Sequence, residues 1–414
     1  MRSRKQMDVT LKGFILAAVL LLKSLSGCGT VVVSNPSPSL APVPDRYFGM
    51  HVGFVTPGTP WPAVPFGTWR LWDADVTWKD LEPAKGAWNF SRLDSLIALG
   101  QQHNVDVILP LALTPQWASE RPNEPSAYTP GAAAPPTNIH DWTNYVQTVA
   151  ARYKGKIAFY EMGNEMNCKP MWTGTPEQIV ALQQAAYTAI RSADPDARFI
   201  SANMTTSNGL PLLHRLLELG YQNSADIIGY HFYVTPSQPE AIAPLASSVI
   251  TLLHQYAVKK PLWNTETGWL PPDKFSSEDQ AAAVVVRALL VARASGIDRF
   301  LWYEWDNHCC VSLFMTEPDN ATPACPAHAF ASLQKWLVGN VLGPCTVDQN
   351  STWSCTLTFS DQRHGVILWN PKGKSEVNEK LTWTPTELED MYGNAMPTPS
   401  THITVGEQPV MLCE

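Results

Sequence analysis

Two carboxylates set at the ends of separate apolar segments carry the chemistry open to this chain. The first is Glu165, in Phe159-Tyr160-Glu161-Met162-Gly163-Asn164-Glu165-Met166-Asn167, where an apolar run gives way to a polar turn. The second is Glu266, in Pro261-Leu262-Trp263-Asn264-Thr265-Glu266-Thr267-Gly268-Trp269. An Asn-Glu pair alone reads as a solvated turn. With a second carboxylate on another strand end it becomes the minimum equipment for splitting a glycosidic bond, which needs two carboxyl groups flanking the linkage. The amide of Asn164 beside Glu165 suits a sugar hydroxyl. In an α/β barrel such groups gather at the C-terminal ends of parallel strands.

The rest of the chain supplies that scaffold. Short apolar segments recur at Tyr47–Phe54, Thr68–Trp72, Asp106–Leu111, Ala158–Met162, Arg198–Ala202, Ile227–His231, Leu262–Glu266 and Arg299–Tyr303. Amphipathic stretches separate most of them, the pattern of a parallel sheet, and eight is the number that closes a barrel. Thr175-Pro176-Glu177-Gln178 is a capping box with proline at the first helical position, opening a helix to about Ala193. Thr56 to Phe66 is rich in proline, so the first helix is short or missing. The Pro-rich stretch Glu120 to Asn138 is a long loop on the catalytic side, expected to wall the cleft. From Gly343 the texture changes to short alternating segments. The expected architecture is a (β/α)8 TIM barrel over 45–341 and a small β-sandwich over 342–414.

The chain here resembles glycoside hydrolase clan A, the retaining (β/α)8 enzymes, over roughly residues 45–340, and within it family 39. Tyr160-Glu161-Met162-Gly163-Asn164-Glu165-Met166-Asn167 is similar to that family's Trp-Asn-Glu-Pro-Asn segment on strand four, with Gly163 where the family has Trp and Met166 where it has Pro. Thr265-Glu266-Thr267-Gly268-Trp269 is similar to the strand-seven nucleophile segment. The resemblance implies Glu165 as general acid/base and Glu266 as nucleophile. Arg70 would hold that nucleophile ionised and Asn164 would bind the sugar 2-hydroxyl. His231 and Tyr233, on one face of strand six by period two, would touch substrate or nucleophile. Trp302, Trp305 and Trp117 are candidate floors and walls of the sugar site, with core packing as the alternative, and His51 on strand one is a further candidate. Glu161, one pleat deeper than Glu165, reads as a buried structural carboxylate. Asp73, Asp75 and Asp306 rank lower as sugar ligands.

Composition bounds the remaining possibilities. Only 16% of the 414 residues are charged, while 16 Trp and 35 Pro stand out. Trp in this number fits carbohydrate binding, although most of it is expected in the core. Arg2, Arg4, Lys5 and Lys12 precede an apolar run from Gly13 to Leu22, then Leu25-Ser26-Gly27-Cys28. Residues 1–27 are therefore expected to be a lipoprotein-type signal, with lipidation of Cys28, and 28–44 a Pro/Ser tether. Losing 1–27 takes a net +4 from a chain of net charge −8 and leaves −12, which argues against nucleic acid as a partner.

Export, to the cell envelope or beyond, permits disulfides. Cys345 and Cys355 flank a hairpin and are expected to pair. Cys168 is placed to bridge to Cys309 or Cys310, and Cys325 could close the same loop. No metal-ligand cluster or glycine-rich phosphate loop is evident, so no cofactor is expected. The expectation is thus an exported, monomeric, retaining β-glycosidase acting within polysaccharide chains. Chain-end action is the alternative, and a non-catalytic sugar-binding protein would have no need for both carboxylates.

Overall fold

The computed structural model describes residues 31–32, 41–53, 55, 60–271, 274–306, 308, 311–377, 383–397 and 403–414. Residues 1–27, Cys28, most of the expected tether, Cys309 and Cys310 lie outside them. All eight expected barrel strands are present, each within its expected bounds or one residue of them. They are β1 (Phe48–His51), β2 (Thr68–Arg70), β3 (Asp106–Leu111), β4 (Phe159–Met162), β5 (Arg198–Ile200), β6 (Ile228–Tyr230), β7 (Leu262–Thr267) and β8 (Arg299–Trp302). They form one parallel sheet in the order β5-β4-β3-β2-β1-β8-β7-β6. Parallel bridges between Ile200 and Ile227 and between Thr205 and His231 close β5 onto β6.

Helices return the chain between strands: α1 (Trp78–Leu81) and α2 (Ser91–Gln102) before β3, α3 (Ile139–Arg152) before β4, α4 (Pro176–Ala193) before β5 and α5 (Leu210–Glu218) before β6. The last three are α6 (Ile242–Gln255), α7 (Glu278–Ala294) and α8 (Cys325–Leu337). Thr175 caps α4 through the expected capping box with Gln178. No helix joins β1 to β2 among the described residues.

Which way each side chain faces follows from one contact. Phe159 of β4 and Trp263 of β7 are not on neighbouring strands, yet their rings meet 4.8 Å apart. They must meet in the lumen, together with Ile108, Ile200, Ile227 and Leu301. Alternation then sends Phe48, Trp69, Tyr160, Phe300 and Trp302 outward against the helices. The lumen is narrow at β1, where a Cβ on Gly49 would lie 2.4 Å from the Leu301 side chain, so glycine is required there.

The remaining strands are β9 (Val341–Val347), β10 (Trp353–Thr358), β11 (His364–Trp369), β12 (Ser375–Val377), β13 (Glu387–Asp390), β14 (Ile403–Val405) and β15 (Val410–Cys413). They build an antiparallel sandwich in which β12 and β14 form the second, two-stranded sheet. Val366 and Leu368 face that small sheet, whereas Ile367 and Trp369 join the barrel's core. The Trp369 indole donates to Glu240 at 2.7 Å, and Glu240 is clasped by the buried Arg287 at 2.8 Å. The sandwich is therefore docked on the barrel rather than hung from it. Val31–Val32, inside the expected tether, pairs with Val347 and Thr346 as an edge strand.

The expected Cys345–Cys355 disulfide joins β9 to β10. Cys168 and Cys325 are free thiols, which corrects the expected loop-pinning bridge.

Trp369→Ala should cost about 3–5 kcal/mol in urea unfolding, the scale of a large core truncation. The exposed Glu376→Ala, on the small sheet, should stay within about 0.5 kcal/mol. A loss below about 1 kcal/mol at Trp369 would mean that the docked face contributes little.

Candidate active site

Arg70 is the hub of the barrel mouth. It points into the lumen from β2, wholly buried, and its guanidinium meets two strand ends, that of β4 through two nitrogens and that of β7 through the third. Nε donates to Glu161 Oε2 at 2.5 Å, Nη1 to Glu266 Oε2 at 2.7 Å and Nη2 to Asn164 Oδ1 at 2.8 Å. Glu161 is fully buried, as expected of a structural carboxylate. Its charge and that of Glu266 lie on one cation, which only the planar fork of arginine can reach in this way.

Glu266 reaches the mouth by a local irregularity. Trp263 faces the lumen, so strict alternation would turn Thr265 and Thr267 inward and Glu266 away. The β7–β8 register shifts between Asn264 and Thr267, and this bulge re-aims Glu266. Asn264 and the Thr267 hydroxyl then hold the Phe232 backbone N–H. The His51 ring, wholly buried and kept neutral by that burial, sits 3.0 Å from the Thr265 carbonyl through Nε2. His51 therefore buttresses the bulge rather than meeting substrate.

Glu165 is held by a left-handed turn. Its own φ is +46° and that of Gly163 is +63°. A Cβ on Gly163 would also lie 2.4 Å from the Met166 sulfur, so glycine at 163 and methionine at 166 fit as a pair. Asn203, after β5, accepts the Glu165 N–H through Oδ1 at 2.6 Å and the Met166 N–H through its carbonyl at 3.0 Å. Asn167 laces the same loops by two bonds to the Thr205 backbone. The sequence reading missed Asn203; its signal was a lone amide just beyond a strand end.

His231 and Tyr233 face the site as period two predicts. His231 Nδ1 lies 3.1 Å from Glu165 Oε1 and 3.9 Å from Glu266 Oε1, and the Tyr233 hydroxyl donates to Glu266 Oε1 at 3.1 Å. Burial pushes His231 down to about 4, so it is neutral at working pH. One oxygen of Glu165, one of Glu266 and a His231 nitrogen all lie within 4.8 Å of one another. Such a trio can ligate a metal, but a guanidinium 2.7 Å from Glu266 opposes a second cation.

The pair is set for proton chemistry. Burial pushes Glu266 up to about 7; His231 and Arg70 oppose that rise, while the charges of Glu165 and Asp73 add to it. Burial raises Glu165 as well. Two carboxyls this close titrate as a pair. The first negative charge settles on Glu266, which has the guanidinium and the phenol as donors, and the shared proton on Glu165.

The tryptophans fall elsewhere. Trp302 is wholly buried and faces outward, stacked on Phe300 at 6.2 Å. Trp305 is buried in the same core, its backbone N–H on the His51 carbonyl. Trp117 packs edge-on to Trp78 and donates to the Glu82 carbonyl. None of the three touches the carboxylates. The aromatic wall is instead Trp72, Tyr128 and Tyr303, packed with Leu113, Met171, Leu270 and Val311 from the loops after β2, β3, β4, β7 and β8. Tyr128, from the long Pro-rich loop, and Tyr303 both donate to Asp73, at 2.5 and 2.8 Å.

A family model described as cellulase (glycosyl hydrolase family 5) matches residues 68–308, more than half of the chain. Solved structures similar in fold include a family 39 glycoside hydrolase from Bacteroides cellulosilyticus (17% identity, 89% of this chain and 82% of that one, TM-score 0.71). A monomeric beta-xylosidase from Caulobacter crescentus aligns at 14% identity over 90% of this chain and 97% of that one, with TM-score 0.65. A family 30 endoxylanase from Clostridium papyrosolvens does so at 13% identity over 91% and 98%, with TM-score 0.62. The family match and a closed barrel with two carboxylates at its mouth agree: the chain belongs to the cellulase family, glycosyl hydrolase family 5, and is a clan A O-glycosyl hydrolase of the retaining kind.

Proposed function

We propose that this protein removes sugar units from the ends of a β-linked polysaccharide or oligosaccharide, with Glu165 as general acid/base and Glu266 as nucleophile. The observation that carries double displacement is the spacing of the two carboxylates. Their oxygens approach within 4.8 Å, the short separation that allows direct attack, whereas an inverting site needs ~6.5–9.5 Å to admit a water. Glu266 attacks the anomeric carbon as Glu165 protonates the departing glycosidic oxygen. The glycosyl ester that forms leaves Glu266 uncharged and Glu165 ionised. Glu165 then takes a proton from water, the water oxygen bonds to the anomeric carbon, and Glu266 leaves as carboxylate. Asn164, oriented by Arg70, is the amide for the sugar 2-hydroxyl.

Chain-end action is favoured over the endo action expected from the sequence by the unequal flanks of the pair. The acid must stand beside the leaving group. Beside the loop after β5, which is laced to the Glu165 loop, a groove of about 530 Å³ opens, lined by Thr206, Ser207, Asn208, Tyr233, Ser237 and Ser248. The loops after β2, β3 and β8 carry instead the packed wall of Trp72, Tyr128 and Tyr303. A site open on the leaving-group side and walled on the other suits a terminal sugar.

Export with a lipid anchor at Cys28 is part of the same reading, supported by the N-terminal residue pattern and by a disulfide that belongs to an oxidising compartment. A monomeric state is supported by the monomeric beta-xylosidase of similar fold.

The test is a hydrolysis screen of the residue 29–414 protein on aryl β-glycosides and soluble polysaccharides, with products read by mass. Single sugars are the expected product; a ladder of oligosaccharides would restore the endo reading. Glu165→Ala should lose about 10²–10⁴-fold on poor leaving groups and recover with azide as a β-glycosyl azide. An α-azide would overturn the assignment. Membrane fractionation beside Cys28→Ser checks the anchor, which a membrane-bound variant would refute.

A further inference from the structure

Beyond the carboxylate pair, three strand-end loops converge on a second group of oxygens. Glu304 and Asp306 follow β8, Asp73 follows β2, and Gly53 follows β1. Glu304 is 1% exposed, and neither of its carboxylate oxygens has a hydrogen-bond partner among the described residues. The hydroxyl of the preceding Tyr303 is committed to Asp73. Asp306 is fully buried and accepts the Gly53 N–H at 2.9 Å. Both oxygens of the Asp73 carboxylate are taken by phenols, and its left-handed backbone (φ 57°) turns its carbonyl toward the same spot. From the position that a Cβ on Gly53 would occupy, Asp73 O lies at 3.4 Å, Glu304 Oε2 at 3.6 Å and Asp306 Oδ1 at 3.9 Å. A cation on α2, Arg92, is spent on the carbonyls of Ala74 and Gly53.

We propose that Glu304, Asp306 and the Asp73 carbonyl form a binding site for a hard divalent cation of the calcium class. The donors are oxygen alone, which excludes the soft metals that seek thiolate or imidazole. Two carboxylates match a charge of two. A carboxylate mixed with a backbone carbonyl in irregular array, completed by water, suits calcium, whereas magnesium demands a near-octahedral shell. Burial and the charges of Asp73 and Asp306 push the Glu304 carboxyl up to about 9, so without a partner it keeps its proton, and a cation at this spot would take the place of that proton. Bound there, it ties together the loops that carry Asp73 and Tyr303, and so stiffens the wall of the sugar site without entering the glycosidic chemistry.

The test is thermal unfolding of the chelator-treated full chain with and without calcium, beside terbium luminescence sensitised by the adjoining tyrosines. At calcium about a hundredfold above Kd the wild type should melt about 3–5 °C higher. Terbium emission should appear and be displaced by calcium. Gly53→Ala places a methyl at ordinary contact distance inside the cradle. It should fold, melt like the chelated wild type and lose both responses, as should Glu304→Gln. A wild type whose melting and terbium emission ignore the metals overturns the site, and so does a Gly53→Ala protein that responds like the wild type.

Discussion

Glu266→Gln is expected to lower kcat on the order of 10⁵- to 10⁶-fold, the scale on which removal of a covalent nucleophile falls, while the barrel stays folded. The amide has the shape of the carboxylate and still offers one acceptor to Arg70 or Tyr233, and Arg70 keeps its bond to Glu161. The carboxylate is also a group whose burial disfavours its charge, so a neutral amide costs the fold little. The chemistry has no such substitute, because an amide cannot form and release the glycosyl ester. A 2-fluoro glycoside with a good leaving group should add one sugar to the Glu266 peptide of the wild type and none to the variant. Retention of more than about 1% of wild-type kcat, far above that scale, would remove Glu266 from the nucleophile's role.

The pH profile gives the same assignment a second handle. As pH falls, Glu266 takes up a proton and can no longer attack; as pH rises, Glu165 loses the proton it must donate. Both carboxyls are raised by burial, so the acid limb of kcat/KM in the wild type should lie above the ordinary glutamate range of about 4.3.

What the sequence disclosed and what it hid divide along a physical line. Short apolar runs with strand periodicity locate a barrel because burial on both faces dictates composition, and all eight strands fell where those runs lie. The same alternation placed His231 and Tyr233 correctly, since β6 is regular. It does not place Glu266, whose orientation depends on a bulge that leaves no mark in residue type. Trp302 and Trp305 were misleading for a related reason. An aromatic ring at a strand end can floor a sugar site or fill the helix-facing core, and only the lumen contact of Phe159 with Trp263 fixes the parity. Tyr128 was hidden in a proline-rich loop whose path no periodicity describes, so its bond to Asp73, 55 positions away, was illegible. Glu304 looked like any acidic residue after a strand until its burial was known.

Arg70→Met should destabilise the protein by about 3–5 kcal/mol, because it strips one partner from a buried charge network and leaves two others uncompensated. Glu161 and Glu266 are fully or almost fully buried, and Asn164 loses the donor that orients it. The deficit should depend on pH in a definite sense. Without the guanidinium the Glu266 carboxyl, already raised by burial, is held still further above its unfolded value near 4.3. A raised acid supports the fold only while it can stay protonated, so the variant should approach the wild type near pH 4 to 5 and fall away from it as pH rises toward 8. In the same protein the acid limb of kcat/KM should move upward, since Glu266 then ionises only at higher pH. A double variant, Arg70→Met with Glu161→Gln, should regain part of the stability but none of the displaced limb. That separates the structural debt owed to Glu161 from the electrostatic one owed to Glu266. Urea unfolding across pH beside the rate profile reads both. An Arg70→Met protein as stable at pH 8 as the wild type, with its acid limb unmoved, would show that the three contacts of this guanidinium do not govern the site.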